Sequence, residues 1–350
     1  MAKRLGVLTG GGDCPGLNAV IRAIVKKCIA THETQCVGIL RGWLGLMDGL
    51  SMPLTLDAVS GILPRGGTIL RTSRTNPFVM PRAPQRIMAN VKRFGLDGVI
   101  AVGGFDTFVV AHRLFKEHGL KVVGIPATID NDVLSTEYTF GFDSTVNTAM
   151  EAIDRIHTTA ESHDRVMIVE VMGRLTGWIA LYAGIAGGAD VILIPEKAFT
   201  VQEVCDAIVR RHDRGKDFSI VVIAEGARIK DRGENEGLYI TQESAPDEFG
   251  HVRLGGVGVV LGKEIEKRTG YETRVTILGH VQRGGTPTAF DRVLGSRFGV
   301  AATDLAIKGE FGKMVALQEN HIVGVPLEEA VSKRRTVPHE LTEVAKAFSA

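Results

Sequence analysis

The chain has 350 residues, with 41 lysines and arginines against 40 aspartates and glutamates, so its net charge of +1 excludes a general field that attracts nucleic acid or an anionic membrane. The length is sufficient for two domains of ordinary size. No apolar run reaches membrane-spanning length, the first residues lack a signal-peptide pattern, and the four cysteines lack metal-ligand spacing, which together predict a cytoplasmic protein.

A glycine-rich loop follows the first predicted strand. The strand covers 5–9, the glycines and their neighbours occupy 10–16, and a helix is predicted over 18–30. This order is typical of a phosphate cradle, because backbone N–H groups are exposed and the helix dipole favours an anion. The pattern is neither a P-loop nor a dinucleotide fingerprint, and a tight turn without a ligand is the alternative.

A basic loop and a second glycine pair come next. Two interpretations of Arg71 and Arg74 are open: their guanidinium groups bind a phosphate group, or they are solvated surface charges. The glycine pair at 103–104 opens a helix, whose early residues Asp106 and Thr107 either cap it or lie beside a bound phosphate. The elements predicted here are strands at 35–40, 98–102 and 121–125, helices at 56–63 and 83–93, and a helix that ends near 118.

An acidic loop follows the strand at 121–125. Asp130 and Asp132 lie two residues apart in the stretch 126–132, at the carboxyl end of a strand, where open α/β sheets bind ligands. An Asx-rich turn is the alternative, because Asp and Asn side chains bond their own backbone.

The second half of the chain continues the alternation of strands and helices, which predicts an α/β fold with mostly parallel, doubly wound sheets. We divide the fold into two lobes, residues 1–141 with 282–330 and residues 142–281 with 331–350. The predicted elements are strands at 166–171, 191–194, 219–224, 274–278 and 314–318, helices at 144–160, 176–186, 201–212, 257–269 and 290–306, an irregular excursion at 228–253 and a final amphipathic helical region.

Charged side chains mark both ends of the strand at 166–171. Arg174 follows its carboxyl end and is well placed for an anion, whereas Arg165 at the other end needs a neighbouring chain or a structural role. His280 and Arg283, three residues apart in a glycine-rich loop, suit a sugar phosphate, although a lone histidine is more often structural.

Four stretches together resemble the phosphofructokinase family over nearly the whole chain. They are Gly-Gly-Gly-Asp-Cys-Pro-Gly-Leu-Asn at 10–18, Thr-Ile-Asp-Asn-Asp at 128–132, Glu-Val-Met-Gly-Arg at 170–174 and Leu-Gly-His-Val-Gln-Arg-Gly-Gly-Thr-Pro at 278–287. The chain is most similar to the actinobacterial branch, whose members use ATP or pyrophosphate. The resemblance implies two Rossmann-like lobes with the active site in the cleft between them. It also implies a cytoplasmic homo-oligomer, a dimer or a tetramer, that phosphorylates fructose 6-phosphate in glycolysis with Mg²⁺.

The resemblance also implies roles for individual residues. Asp130 takes the proton of the 1-hydroxyl group, Thr128 and Asp132 flank it, and Arg174 stabilises the phosphoryl group in transfer. The implied donor-binding residues are Gly12, Arg74, Asp106 and Thr107, to which we add Arg71. The implied sugar-phosphate residues are Thr128, Asp130, Met172, Gly173, Arg174, Glu225, His280 and Arg283, with Arg165 and Arg274 contributed across a subunit interface.

The chain departs from the family on the donor side. Phe105 stands where the family has an acidic residue that helps to hold Mg²⁺, which leaves Asp132 and Asp106 as weak metal ligands. Asp106 is typical of pyrophosphate users, whereas Ala127 replaces the lysine with which they normally grip that donor. Arg71 replaces a usual glycine and is our candidate for the missing cation.

Phe108 with Val109 and Leu175 are further departures that we assign to the donor side, while the sugar side is intact. We therefore predict a 6-phosphofructokinase and slightly favour pyrophosphate over ATP as its donor. One alternative is a phosphotransferase for another sugar phosphate, such as sedoheptulose 7-phosphate. Another is a weakly active or non-catalytic sugar-phosphate-binding paralogue, natural or engineered.

Overall fold

The structure, a computed structural model, describes residues 4–230, 237–241 and 245–348. The chain forms two compact units: unit 1 is Met1–Ser144 with Arg283–Arg335, and unit 2 is Thr145–Gln282 with Thr336–Ala350. The predicted α/β fold with mostly parallel sheets flanked by helices is confirmed. None of the helices in the described ranges has both the length and the apolar character needed to cross a membrane.

Strands and helices alternate along the described chain. The strands are β1 (Arg4–Gly10), β2 (Gln35–Ile39), β3 (Ser51–Leu54), β4 (Gly98–Gly103), β5 (Val122–Pro126), β6 (Val166–Val171), β7 (Val191–Leu193), β8 (Ser219–Ala224), β9 (Thr273–Ile277), β10 (Lys313–Gln318) and β11 (His321–Pro326). The helices are α1 (Leu17–His32), α2 (Gly42–Asp48), α3 (Ala83–Arg93), α4 (Phe105–His118), α5 (Phe142–His163), α6 (Trp178–Ala186), α7 (Val201–Asp213), α8 (Val257–Thr269), α9 (Ala289–Lys308), α10 (Leu327–Ala330) and α11 (His339–Phe348). Short 3₁₀ turns cover Pro77–Val79 and Gly279–Arg283.

Unit 1 contains a seven-stranded sheet in the order β11-β10-β5-β4-β1-β2-β3. Its inner strands are parallel, and antiparallel pairs close both edges, β10 with β11 and β2 with β3. β1, β4 and β5 are buried along nearly their whole length, which explains their continuous apolar sequences. The register aligns Gly10 with Gly103 and Gly103 with Pro126, so the loops after these three strands start side by side.

Unit 2 contains a four-stranded parallel sheet in the order β7-β8-β6-β9. Its core includes the buried side chains of Val204 on α7 and Leu261 on α8, which cluster with the apolar residues of β6 and β8. Val171 pairs with Ala224 at the carboxyl ends of β6 and β8. The loops that follow these two strands therefore also start side by side.

The structure corrects the prediction at three places. The helix predicted at 56–63 is wrong: these residues form turns, in which Gly61 has φ 70° and Pro64 lacks an N–H group. The sequence analysis misses α2 and β3, because Gly42 and Gly45 weaken the helical pattern and the strand has only four residues. It also misses β11, an antiparallel edge strand within the predicted helical end of the chain. The excursion predicted at 228–253 falls partly outside the described residues.

Candidate active site

The glycine-rich loop after β1 is held against the basic loop that contains Arg71. The Gly11 N–H donates to the Ser73 carbonyl oxygen at 3.0 Å, and the Thr72 hydroxyl donates to the Gly11 carbonyl oxygen at 2.8 Å. Gly11 has φ 85°, a left-handed conformation that favours glycine. The structure therefore brings two of the predicted donor-side loops together.

Gly12 leaves room for a buried arginine from a distant part of the chain. Arg283 Nη1 donates to the Asp13 carbonyl oxygen at 3.2 Å, and it lies 2.6 Å from the point that a Cβ atom on residue 12 would occupy. Only 7% of Arg283 is exposed. Arg283, predicted to bind the sugar 6-phosphate, thus contacts the glycine-rich loop. His280, predicted to bind the same phosphate, is exposed and belongs to unit 2.

Thr107 fills the space between the first two glycine loops. Its hydroxyl oxygen would lie 2.9 Å from a Cβ atom on Gly10 and 2.5 Å from a Cβ atom on Gly103. At the start of α4, no side-chain cap is present among the described residues. Of the two interpretations, the capping role of Asp106 or Thr107 is therefore not observed, and Thr107 is a buried residue of the glycine-lined edge.

The acidic loop after β5 is a turn fixed by its own side chains. The Asp130 N–H donates to the Thr128 hydroxyl at 3.1 Å, and the Thr139 N–H donates to Asn131 Oδ1 at 3.0 Å. The Thr139 hydroxyl also donates to the Thr128 carbonyl oxygen at 2.7 Å. Asp130 and Asp132 are both buried in this turn. An Asx turn and a pair of buried carboxylates occur together here, so the two interpretations of the loop do not exclude each other.

A guanidinium group that the sequence analysis missed lies on the acidic loop. Arg334 Nη1 contacts the Asp132 carboxylate, and Arg334 Nη2 lies 3.3 Å from Asp106 Oδ1. Its Cζ atom is 4.3 Å from the centroid of the Phe105 ring. Burial and the nearby Asp130 raise the pKa of Asp132 to about 6, although Arg334 opposes this shift. Arg334 therefore contacts the side chains of Phe105, Asp106 and Asp132.

The predicted magnesium ligands Asp106 and Asp132 thus already face a cation. Within residues 4–230, 237–241 and 245–348, no group of three or more histidine, cysteine, aspartate or glutamate side chains is arranged as a metal site. Phe105 offers no oxygen atom, and its ring faces Arg334. Mg²⁺ prefers octahedral coordination by several oxygen atoms. Because the positive charge of Arg334 lies against both carboxylates, this arrangement does not fit a magnesium ion held between Asp106 and Asp132.

In unit 2, Arg174 follows β6 in a left-handed conformation. It has φ 51°, and its N–H donates to Glu225 Oε1 at 3.0 Å. A Cβ atom on Gly226 would lie 1.8 Å from the Arg174 carbonyl oxygen. Met172 and Gly173, the other predicted residues of this loop, are buried. The loops after β6 and β8 therefore fix Arg174 and Glu225 against each other.

Glu170, the first residue of the Glu-Val-Met-Gly-Arg stretch, has a structural role that the sequence analysis missed. It is 2% exposed within β6, and its carboxylate accepts hydrogen bonds from the N–H groups of Gly256 and Gly258, both at 2.8 Å. These donors lie at the start of α8, where a carboxylate stabilises the exposed N–H groups and the helix dipole. An acidic residue inside an apolar strand is the sequence feature that could have indicated this role.

Arg165 and Arg274 share one carboxylate at the opposite end of β6. Arg165 Nη2 lies 2.8 Å from Glu272 Oε1, and Arg274 contacts the same oxygen atom. The register pairs Arg274 with Met167, near the start of β6. Because a strand of this length spans about 16 Å, the two arginines lie far from Arg174 within unit 2.

The remaining positions that we assigned to the donor side differ in solvent exposure. Arg71 and Arg74 are exposed, and Arg71 has φ 56°, a conformation in which glycine is unstrained. Ala127 is buried and Leu175 is exposed. Phe108 is fully buried, and its ring packs in the core against Gly124 of β5.

Comparison with known proteins agrees with these motifs. A family profile described as Phosphofructokinase matches residues 4–306. The chain is 54% identical over 345 residues to the pyrophosphate–fructose 6-phosphate 1-phosphotransferase of Streptomyces coelicolor, covering 99% of both chains. It is 50% identical over 335 residues to ATP-dependent 6-phosphofructokinase 3 of the same organism, covering 96% of both.

Solved structures with the same fold include Pichia pastoris phosphofructokinase in the T-state. The TM-score is 0.81 at 34% identity, over 99% of this chain and 38% of the yeast chain, so this chain spans about two fifths of that protein's length. The pyrophosphate-dependent phosphofructokinase from Marinobacter aquaeolei has a TM-score of 0.81 at 20% identity, over 97% of this chain and 86% of its own, which shows the shared fold.

Proposed function

Since this chain belongs to the phosphofructokinase family, we propose that it transfers a phosphoryl group to the 1-hydroxyl group of fructose 6-phosphate. The product is fructose 1,6-bisphosphate, an intermediate of glycolysis. The observation that supports this most directly is the buried Asp130 carboxylate in a turn fixed by Thr128 and Asn131. A carboxylate held in this way is suited to orient a hydroxyl nucleophile and to accept its proton.

In the proposed reaction, Asp130 accepts the proton of the 1-hydroxyl group as that oxygen forms a bond to the donor's terminal phosphorus. The bond between this phosphorus and the bridging oxygen breaks, and the leaving phosphate keeps the electron pair. Arg174 neutralises charge on the group in transfer, and the Gly12 N–H binds the donor phosphate. Each well-aimed donor of this kind contributes roughly 3 kcal/mol to transition-state stabilisation.

The sugar phosphate is bound mainly by residues of unit 2 in this proposal. The residues are Met172, Gly173 and Glu225 for the sugar, and His280, Arg283 and the partner subunit's Arg165 and Arg274 for the 6-phosphate. A homo-oligomer is supported by the charge at the start of β6, where two arginines share the single carboxylate of Glu272. Two guanidinium groups around one carboxylate leave a net positive charge that suits a phosphate group.

Pyrophosphate is the preferred donor in this proposal. Asp106 lies in the first turn of α4, and the resemblance to pyrophosphate users implies that its carboxylate would take space that the α-phosphate of ATP needs. Arg71 supports the same donor side, since the neighbouring Thr72 and Ser73 bond directly to Gly11. The identities of 54% and 50% to a pyrophosphate enzyme and an ATP enzyme are too similar to decide the donor alone.

Magnesium and the cellular location complete the proposal. Mg²⁺ would be carried mainly by the oxygen atoms of the donor, because Asp106 and Asp132 already face Arg334. The four cysteines are free and buried, which is typical of a reducing compartment and supports a cytoplasmic location.

The experiment measures fructose 1,6-bisphosphate formed from fructose 6-phosphate, Mg²⁺ and either pyrophosphate or ATP. We expect product with a higher kcat/KM for pyrophosphate. Asp130→Asn should lower kcat by about 100-fold or more, because it removes the general base. Asp57→Asn, at an exposed position of the same unit, is the matched control and should retain wild-type kcat. An active Asp130→Asn variant, or no product with either donor, would contradict the proposal.

A second arm of the same assay replaces fructose 6-phosphate by sedoheptulose 7-phosphate. A higher kcat/KM for the longer sugar would change the substrate but keep the reaction class. Binding of either sugar phosphate without turnover would instead indicate a non-catalytic paralogue.

A further inference from the structure

Arg334 bridges two carboxylates that belong to different parts of unit 1. Asp132 lies in the loop after β5 and Asp106 lies in the first turn of α4, yet both contact the same guanidinium group. The Asp132 side chain is only 6% exposed and that of Arg334 only 19%. Because a buried carboxylate without a counter-charge is unstable, this contact neutralises Asp132 where water cannot.

The backbone fixes Arg334 in this place. Val133 and Arg334 form an antiparallel bridge, and the Arg335 N–H donates to the Asp132 carbonyl oxygen at 2.9 Å. Arg335 Nη1 also donates to the Asn131 carbonyl oxygen at 3.4 Å. Arg334 is therefore part of the scaffold of the acidic loop and not a surface side chain that meets the carboxylates by chance.

Phe105 forms the third side of this arrangement. Its ring centroid lies 4.3 Å from Arg334 Cζ, well within the range of cation–π attraction. A carboxylate at position 105 would add a third negative charge beside Asp106 and Asp132, whereas the ring offers no oxygen to a metal ion. Phe105 and Arg334 are therefore matched, and the unusual residue at 105 has a physical explanation.

We infer that Arg334 is a built-in cation of the donor side, whose guanidinium takes the place of a divalent metal ion between Asp106 and Asp132 and excludes such an ion from them. An arginine stays charged in proteins, so this positive charge is present at every concentration of free metal ion. Its separate nitrogen atoms also contact two carboxylates at once, as observed here. The inference rests on the proposed function only for the identity of the phosphoryl donor that this charge serves.

The test uses Mn²⁺ as the probe, because it takes oxygen ligands as Mg²⁺ does and its free ion is measured by electron paramagnetic resonance. The full-length protein is titrated with Mn²⁺ alone, without substrates, as wild type, as Arg334→Gln, and as Arg334→Gln combined with Asp132→Asn. We expect Arg334→Gln to gain a Mn²⁺ site with an affinity at least about tenfold higher than that of the wild type. The added Asp132→Asn substitution should remove this site.

Two results would overturn the inference. They are equal Mn²⁺ binding by wild type and Arg334→Gln, and a gained site that Asp132→Asn does not remove. Circular dichroism and thermal unfolding show which variants are folded. If Arg334→Gln does not fold, Arg334→Lys replaces it: this variant keeps the positive charge and must still exclude Mn²⁺, so a Mn²⁺ site in it also overturns the inference.

The titration requires no turnover, so its outcome is independent of the assay for fructose 1,6-bisphosphate. A failed inference would leave the proposed reaction intact. An inactive protein would in turn leave the Mn²⁺ titration fully interpretable.

Discussion

Gly226→Ala tests whether the position of Arg174 controls the rate. A Cβ atom at residue 226 would lie 1.8 Å from the Arg174 carbonyl oxygen, whereas ordinary contacts begin at 3.4 Å. The backbone of one of the two loops must therefore move by about 1.6 Å to relieve the overlap. This movement also disturbs the hydrogen bond from the Arg174 N–H to Glu225.

The expected loss of activity follows from this displacement. A misplacement of about 1 Å in a catalytic group lowers the rate by about 100-fold, which corresponds to roughly 2.7 kcal/mol in the activation barrier. The overlap should also lower the free energy of unfolding by about 1–3 kcal/mol. Formation of fructose 1,6-bisphosphate at saturating fructose 6-phosphate measures kcat, and urea unfolding measures stability.

Gly215→Ala is the matched control for this experiment. Gly215 has φ 76° in unit 2, and a Cβ atom there would meet nothing within 4 Å. This control should lose about 1 kcal/mol of stability through backbone strain alone, with kcat unchanged. A folded Gly226→Ala variant with kcat within threefold of the wild type would refute the argument, since Arg174 would then tolerate displacement.

Two further predictions concern stability and the donor. Asp291 accepts hydrogen bonds from the Ser144 N–H and hydroxyl, and burial raises its pKa to about 6. Between an unfolded pKa of about 3.9 and this value, the native state binds more protons, so the contribution of Asp291 to stability falls by about 1.4 kcal/mol for each unit of rising pH. In urea unfolding, the stability of the wild type relative to Asp291→Asn should therefore fall from pH 4 to pH 6, and a constant difference would contradict this. Arg71→Gly should raise the free energy of unfolding by about 1 kcal/mol, measured by thermal unfolding, because it removes the backbone strain at φ 56°. It should also raise the KM for pyrophosphate, and an unchanged KM would exclude Arg71 as a donor-binding cation.

Elements with a strong local pattern agree with the sequence analysis. The predicted bounds of β6, β8, α3 and α8 match the structure, because each apolar run or helical period ends at a polar or glycine-containing turn. The loops after β1, β4 and β5 could also be placed at one edge of a sheet, since parallel strands align their carboxyl ends. Local pattern and strand direction were sufficient for these features.

Arg334 shows what a local pattern cannot reveal. It lies 202 residues from Asp132 in the sequence. The backbone contacts that hold it against the acidic loop correspond to no local sequence pattern. Arg283 is similar, since 270 residues separate it from the glycine-rich loop that it contacts. The one available indication was Phe105, because the loss of an acidic residue from a charged site requires a compensating change elsewhere.

The position of β10 has a consequence for synthesis on the ribosome. In the finished sheet β10 lies beside β5, but its first residue, Lys313, is translated about 190 residues after the end of β5. At ordinary elongation rates this interval lasts roughly 10–40 s. During it the nascent chain carries an apolar strand edge with unpaired backbone groups, the kind of edge that recruits other chains into aggregates. Until β10 is translated, this edge of β5 is therefore open to pairing with another chain.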